Sequence, residues 1–154
     1  MYKLTIAAFL LIFSVSVLAQ QKNDIKVPEN VTMAFQKAHP KATDVTWDKE
    51  GMNYEANYKE NDNNISVIIN NEGNILETES EVDVSALPSG VVSYINNNYK
   101  GYTLSGAAKI VDNKGNVKYE AEVKNAKGSK DVMFDKDGNP LRKKMESKEE
   151  EDKD

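Results

Sequence analysis

Two near-copies of one short pattern, Asn53-Tyr54-Glu55-Ala56-Asn57-Tyr58 and Lys118-Tyr119-Glu120-Ala121-Glu122-Val123, lie 65 residues apart. A segment that recurs with its alternation intact marks the same strand in two copies of one unit, which constrains the chain more than any other feature. The units also open alike, with Val27-Pro28-Glu29-Asn30-Val31 in the first and Leu87-Pro88-Ser89-Gly90-Val91 in the second. Proline starts a helix without cost, because the first helical turn leaves its amides unpaired anyway. Val31, Ala34, Phe35 and Ala38 follow at helical spacing up to His39-Pro40, and Val91, Tyr94, Ile95 and Tyr99 up to Gly101. One amphipathic helix per unit is predicted.

Behind each helix comes a ladder of turns: Lys49-Glu50-Gly51, Asn61-Asp62-Asn63-Asn64 and Asn71-Glu72-Gly73-Asn74, then Asn113-Lys114-Gly115-Asn116, Asn125-Ala126-Lys127-Gly128 and Asp135-Lys136-Asp137-Gly138-Asn139. Three turns delimit four strands. Strand alternation assigns Val45 and Trp47, then Met52, Tyr54, Ala56 and Tyr58, then Ile65, Val67 and Ile69 to a covered face. The second unit matches these with Leu104 and Ile110, Val117, Tyr119, Ala121 and Val123, Val132 and Phe134, and Leu141. Asn53, Glu55, Asn57 and Lys59, with Lys118, Glu120, Glu122 and Lys124, alternate onto the opposite face, which is predicted to be solvated. A unit of about 60 residues buries only about 60% of its unfolded surface, so the two are predicted to share one core. The prediction is a two-layer α+β domain, a tandem repeat of one helix plus four antiparallel strands, with the helices on one face. Alternation leaves open whether the eight strands form one sheet or two.

Both chain ends read as separate from this domain. Lys3, the apolar run Leu4 to Leu18 and the Val17-Leu18-Ala19 end predict a signal peptide over residues 1–19. A linker over 20–26, repeats over 27–84 and 85–145, and a disordered acidic tail over 146–154 complete the organisation. The predicted location is periplasmic or secreted, with no stable membrane anchor after cleavage. The chain has no Cys, so packing alone must hold it. Its formal net charge of -5 repels phosphate backbones and argues against a nucleic-acid partner.

The ordered motifs carry a resemblance. Val27-Pro28-x-x-Val31-x-x-Ala34-Phe35, Pro40, Val45-x-Trp47, Tyr54-x-Ala56, Asn71-Glu72-Gly73-Asn74, Leu87-Pro88-x-x-Val91, Tyr99-x-Gly101-Tyr102, Tyr119-x-Ala121 and Phe134-Asp135-x-x-Gly138 together resemble the PepSY-like family of exported Gram-negative proteins. The resemblance implies a fold similar to beta-lactamase inhibitory protein and a periplasmic domain that binds or inhibits proteins such as peptidases. It supplies no catalytic residues.

The residues themselves offer little chemistry. His39 is the single histidine, so His-based triads and His-rich zinc sites cannot be assembled, and its place before Pro40 marks it as a helix-end residue. Glu77 with Glu79, and Glu120 with Glu122, project pairwise from one strand face and read as solvated carboxylates. Asp135 to Asn139 does not fit a calcium loop: with Gly138 at position six, Met133 and Lys144 would fall at ligating positions. No catalytic, cofactor-binding or metal residue is assigned, and the chain is not predicted to be an enzyme. The leading expectation is a non-enzymatic protein-binding or inhibitor-like module that uses its open sheet face or hairpin loops on an unknown periplasmic or extracellular protein. Glu55, Asn57, Glu120 and Glu122 are the candidate face. The alternative is a small-molecule or divalent-cation-binding envelope-stress protein, resting on the acidic face and tail.

Overall fold

Two ten-residue helices begin directly after the paired prolines, α1 at Glu29–Ala38 and α2 at Ser89–Asn98. The prolines act as the capping residues, and their carbonyls accept from the N–H of Val31 at 3.1 Å and of Val91 at 2.9 Å. Each helix buries two positions one turn apart, Val31 with Phe35 and Val91 with Ile95, while Ala38, predicted for the apolar stripe, is exposed. The computed structural model describes residues 25–141. The signal segment 1–19, most of the 20–26 linker and the acidic tail 146–154 lie outside the described residues.

Seven strands complete the chain: β1 Thr43–Glu50, β2 Asn53–Glu60, β3 Asn63–Ile69, β4 Ile75–Glu81, β5 Thr103–Asp112, β6 Val117–Asn125 and β7 Gly128–Asp135. They pair antiparallel in sequence order to make one continuous sheet. The eighth strand predicted around Leu141 does not form within the described residues. Pro140 makes an isolated bridge to Phe134, it has no N–H with which to extend a ladder, and Leu141 is 40% exposed.

Directly paired residues share a face, and the series Ile65, Ser80, Lys109, Tyr119, Phe134 carries one face from α1 to α2. Both helices therefore lie on the same side. The buried apolar residues form two clusters where the sequence predicts one shared core. Val31 and Phe35 pack with Tyr54, Ala56, Tyr58, Val67 and Ile69; Val91 and Ile95 pack with Ala107, Ala121, Val123, Val132 and Phe134. Thr78 and Ser80 of β4 and Lys109 of β5 occupy the ground between them, and polar side chains do not close an apolar seam.

Register shifts interrupt the ladders at Thr43/Thr46, Ile68/Ile69 and Leu104/Gly106. A bulge bends its strand and reverses the alternation beyond it. Leu104 faces α2, but Ile110, predicted on the same side, pairs with Lys118 and faces away. Val45 falls in the β1 bulge and is 37% exposed, and Met52 precedes β2 in a turn and is 78% exposed. Both were predicted for the covered face.

The matched turns Asn70–Asn74 and Asp135–Asn139 pack on the helix starts. Asn70 Oδ1 accepts from the N–H of Glu72 and Asn74 at 3.0 and 2.9 Å, and Asp135 Oδ1 from those of Asp137 and Asn139 at 2.9 Å. These acceptors are committed to their own turns, as a hairpin requires. A Cβ on Gly73 would meet Asn30 O at 3.0 Å, and one on Gly138 would meet Val91 N at 3.1 Å and Pro88 Cβ at 3.2 Å. Gly115 has the same backbone, φ 81° against 83°, but open space around it. Gly115→Ala is expected to cost about 1 kcal/mol from left-handed backbone strain alone, and Gly138→Ala about 2 to 3 kcal/mol once the helix start must also move. Thermal unfolding of the two variants side by side checks the difference.

Candidate functional site

The sheet face turned away from the helices carries a cleft of about 640 Å³ to which all seven strands contribute. Its floor comes from β5, where the bulge brings Gly106 and Ala108 into the phase of the outer face. Small side chains there leave a trough between two walls. Glu79 and Glu81 of β4 form one wall, and Glu120 and Glu122 of β6 form the other.

Two of these four carboxylates are satisfied. Glu81 accepts from Asn64 Nδ2 at 2.8 Å, and Glu122 from Ser105 Oγ at 2.9 Å. Glu79 is not: its Oε1 is buried without a hydrogen-bond partner. Glu120 is 7% exposed, with the carboxylates of Glu79, Asp131 and Glu122 acting on it. Glu55, 3% exposed, holds the side chains of Ser66 and Asn57 but leaves Oε2 unpaired. Lys118 is paired with Glu77 at 3.8 Å.

Burial disfavours the ionised form, and neighbouring carboxylates add to the effect. Desolvation, with the charges of Glu79, Asp131 and Glu122, pushes Glu120 up to about 8. Desolvation with Glu55, Glu77 and Asp131 pushes Glu79 up to about 7. Glu55 is also raised by burial, and the Ser66 hydrogen bond opposes that rise. Near neutral pH this face therefore holds carboxyl groups poised between their charged and uncharged forms.

The four candidate positions named from sequence all lie on this face, in different environments. Asn57 lines the cleft and donates to Asp48 Oδ2 at 3.2 Å; Glu120 and Glu122 line opposite parts of its β6 wall. Glu55 lies beneath the surface. The predicted solvated face is overturned at Glu55 and Glu120, which are as buried as core residues; the bends in the sheet fold that face in on itself. Glu79 was visible in the sequence only as half of a carboxylate pair with Glu77, and Asp131, which also lines the cleft, carried no signal. His39 sits on the helix side, 2.7 Å from the Tyr58 hydroxyl through Nδ1 and with its ring tilted against Phe35, and does not itself line the cleft. Among the described residues, no group of three or more His, Cys, Asp or Glu side chains is arranged to hold a metal ion. No helix among them is long and apolar enough to cross a membrane.

This architecture is shared with solved structures. A DUF2874 family protein from Bacteroides uniformis superposes with a TM-score of 0.67 at 19% identity, over 76% of this chain and 88% of its own. A protein described as one of the "putative periplasmic proteins" of Bacteroides eggerthii gives 0.68 at 15% identity, over 76% and 87%. A BLIP-like protein from Bacteroides fragilis gives 0.61 at 20% identity, over 78% and 86%. At these identities the likeness is one of fold. No curated protein matches the chain. The sequence pattern of one family matches twice, over residues 20–77 and 63–142. On that double match, the chain belongs to the family described as "Putative beta-lactamase-inhibitor-like, PepSY-like".

Proposed function

We propose that this chain is an exported, non-enzymatic protein-binding module, built from two related helix-and-strand halves, whose working surface is the concave sheet face. The observation that carries this reading is the cleft itself, which crosses every strand on the side that the helices leave uncovered. A breadth of seven strands at about 4.8 Å spacing is about 29 Å, a length suited to a loop or segment of another protein. The BLIP-like neighbour and the inhibitor-like family support the same reading. The divalent-cation alternative finds no arrangement of ligands among the described residues.

Site-specific photo-cross-linking tests this. A photoreactive residue at Asn57 or Glu122, both in the cleft, is expected to capture a partner in the exporting cell. The same residue at Met33, 58% exposed on α1, is expected to capture none. Equal capture from both faces, or none from the cleft, would remove the sheet face as the binding surface.

A further inference from the structure

We propose that the cleft takes a basic segment of its protein partner, with a lysine or arginine side chain seated over Gly106 and Ala108 between the β4 and β6 carboxylates. This rests on the reading of the concave face as a protein-binding surface and adds the chemistry of what it binds.

The need for a cation comes from carboxylates that the fold crowds together, one of them with a buried oxygen left without a partner. Glu120 is more than nine-tenths buried and lines the cleft, with the charges of Glu79, Asp131 and Glu122 acting on it. Glu79 Oε1, on the facing wall, is buried and has no hydrogen-bond partner. Such groups cost free energy unless something supplies donors. Of the chain's own cations, Lys118 is paired with Glu77, and Lys59 and Lys124 line the cleft near the C-terminal ends of β2 and β6. Six carboxylate residues and two lysines line the cleft, so the field over the floor is negative.

Geometry selects the kind of cation. β4 and β6 are separated by two strand spacings, about 10 Å at the backbone. A metal ion would need its oxygens to converge within about 2.6 Å, which these side chains do not do. A guanidinium or ammonium on a flexible stem offers three to five diverging donors, which suits carboxylates on separate walls. The floor has room for such a stem where β5 places Gly106 and Ala108 beneath it. A cleft spanning every strand also exceeds what a small free cation would cover, which favours a polypeptide.

Binding of this kind is coupled to protons. Glu55 of β2, Glu77 of β4, Glu122 of β6 and Asp131 of β7 all act on the Glu79–Glu120 pair, and β3 and β5 present Ser66, Gly106 and Ala108 on that face. The pair is partly protonated near neutral pH, so a bound cation drives those protons off. Affinity is then expected to rise with pH between about 6 and 8.

Calorimetric titration of the full mature chain at pH 7.5 tests the proposal. The probes are a ten-residue peptide with central Arg-Lys among neutral residues, the same peptide with citrulline and acetyl-lysine, and spermidine. The basic peptide is expected to bind with an enthalpy that differs between phosphate and Tris buffers, the mark of proton release. The Glu79→Gln/Glu120→Gln variant, with its folded state checked by circular dichroism, is expected to bind it at least tenfold more weakly. Any one of four results overturns the proposal: no binding of the basic peptide at millimolar concentration, equal binding of the neutral peptide, unchanged affinity in the double variant, or spermidine binding as tightly as the peptide. Cross-linking from Asn57 that persists in the double variant would overturn this inference alone, whereas its absence in the unmodified protein would remove the protein-binding reading beneath it.

Discussion

Replacing Glu120 with Gln is expected to stabilise the protein at pH 8 and to flatten its dependence of stability on pH. Glu120 is buried in a field of carboxylates, and its folded-state pKa stands at about 8 against 4.5 in the unfolded chain. A carboxyl group raised in this way is most favourable to folding at acid pH, below its unfolded value, and that contribution is lost as pH rises through the folded value. The native protein should therefore be more stable at pH 5.5 than at pH 8, opposite to the usual behaviour of paired surface carboxylates. The linkage caps the effect of Glu120 at about 4 kcal/mol at pH 8. Coupling to Glu79 and the unmade hydrogen bonds of a buried amide reduce the expected gain to about 2 kcal/mol, or roughly 8 °C in the unfolding midpoint. At pH 5 the same substitution should change little, because Glu120 is already neutral there. His39 works the other way: burial lowers its pKa, so its contribution is present above about pH 6.5 and is lost as pH falls. Thermal unfolding from pH 5 to 8 separates the two, and equal midpoints for the variant and the parent at pH 8 would refute the account of Glu120.

Phe134→Ala is expected to give the largest loss. The ring is fully buried, meets Tyr94 edge-on with centroids 5.6 Å apart at 79°, and closes the cluster under α2. Truncating such a side chain costs about 3 to 5 kcal/mol through lost burial and the cavity left behind. A second outcome tests how the halves depend on each other. Trp47, the single tryptophan, belongs to the cluster under α1 and stands edge-on to Phe35 at 5.3 Å, so its fluorescence reports the half that Phe134 does not touch. The two apolar clusters are separate, but β4 and β5 pair along five residues, Glu77 to Glu81, and a unit of about 60 residues is marginal alone. The Trp47 transition should therefore fall in step with the circular dichroism transition. A Trp47 midpoint unmoved by Phe134→Ala would show that the halves unfold independently.

Much of this arrangement was legible because it is local. Pro28 and Pro88 mark helix starts because a fixed φ and a missing N–H cost nothing in a first turn, and apolar residues at helical spacing follow each of them. Tyr54 and Ala56, with Tyr119 and Ala121, fall on the helix-covered face because strand alternation has a period of two and needs no partner to be read. Gly73 and Gly138 were equivalent in sequence, and the structure gives the reason: each lies against the start of its own helix.

Glu120 and Ile110 mark where that reasoning ends. Alternation placed Glu120 on the face away from the helices, and that holds; it placed Ile110 with Leu104, and one extra residue at the β5 bulge reverses it. Whether an outward side chain is wet depends on the curvature of a seven-stranded sheet, which three register shifts on separate strands bend together. The sequence by itself determined the two units, their helices, and the side of each strand that the helices cover. Only the tertiary structure decided that the other side closes into a cleft of crowded carboxylates, because desolvation and charge repulsion arise between strands that lie far apart along the chain.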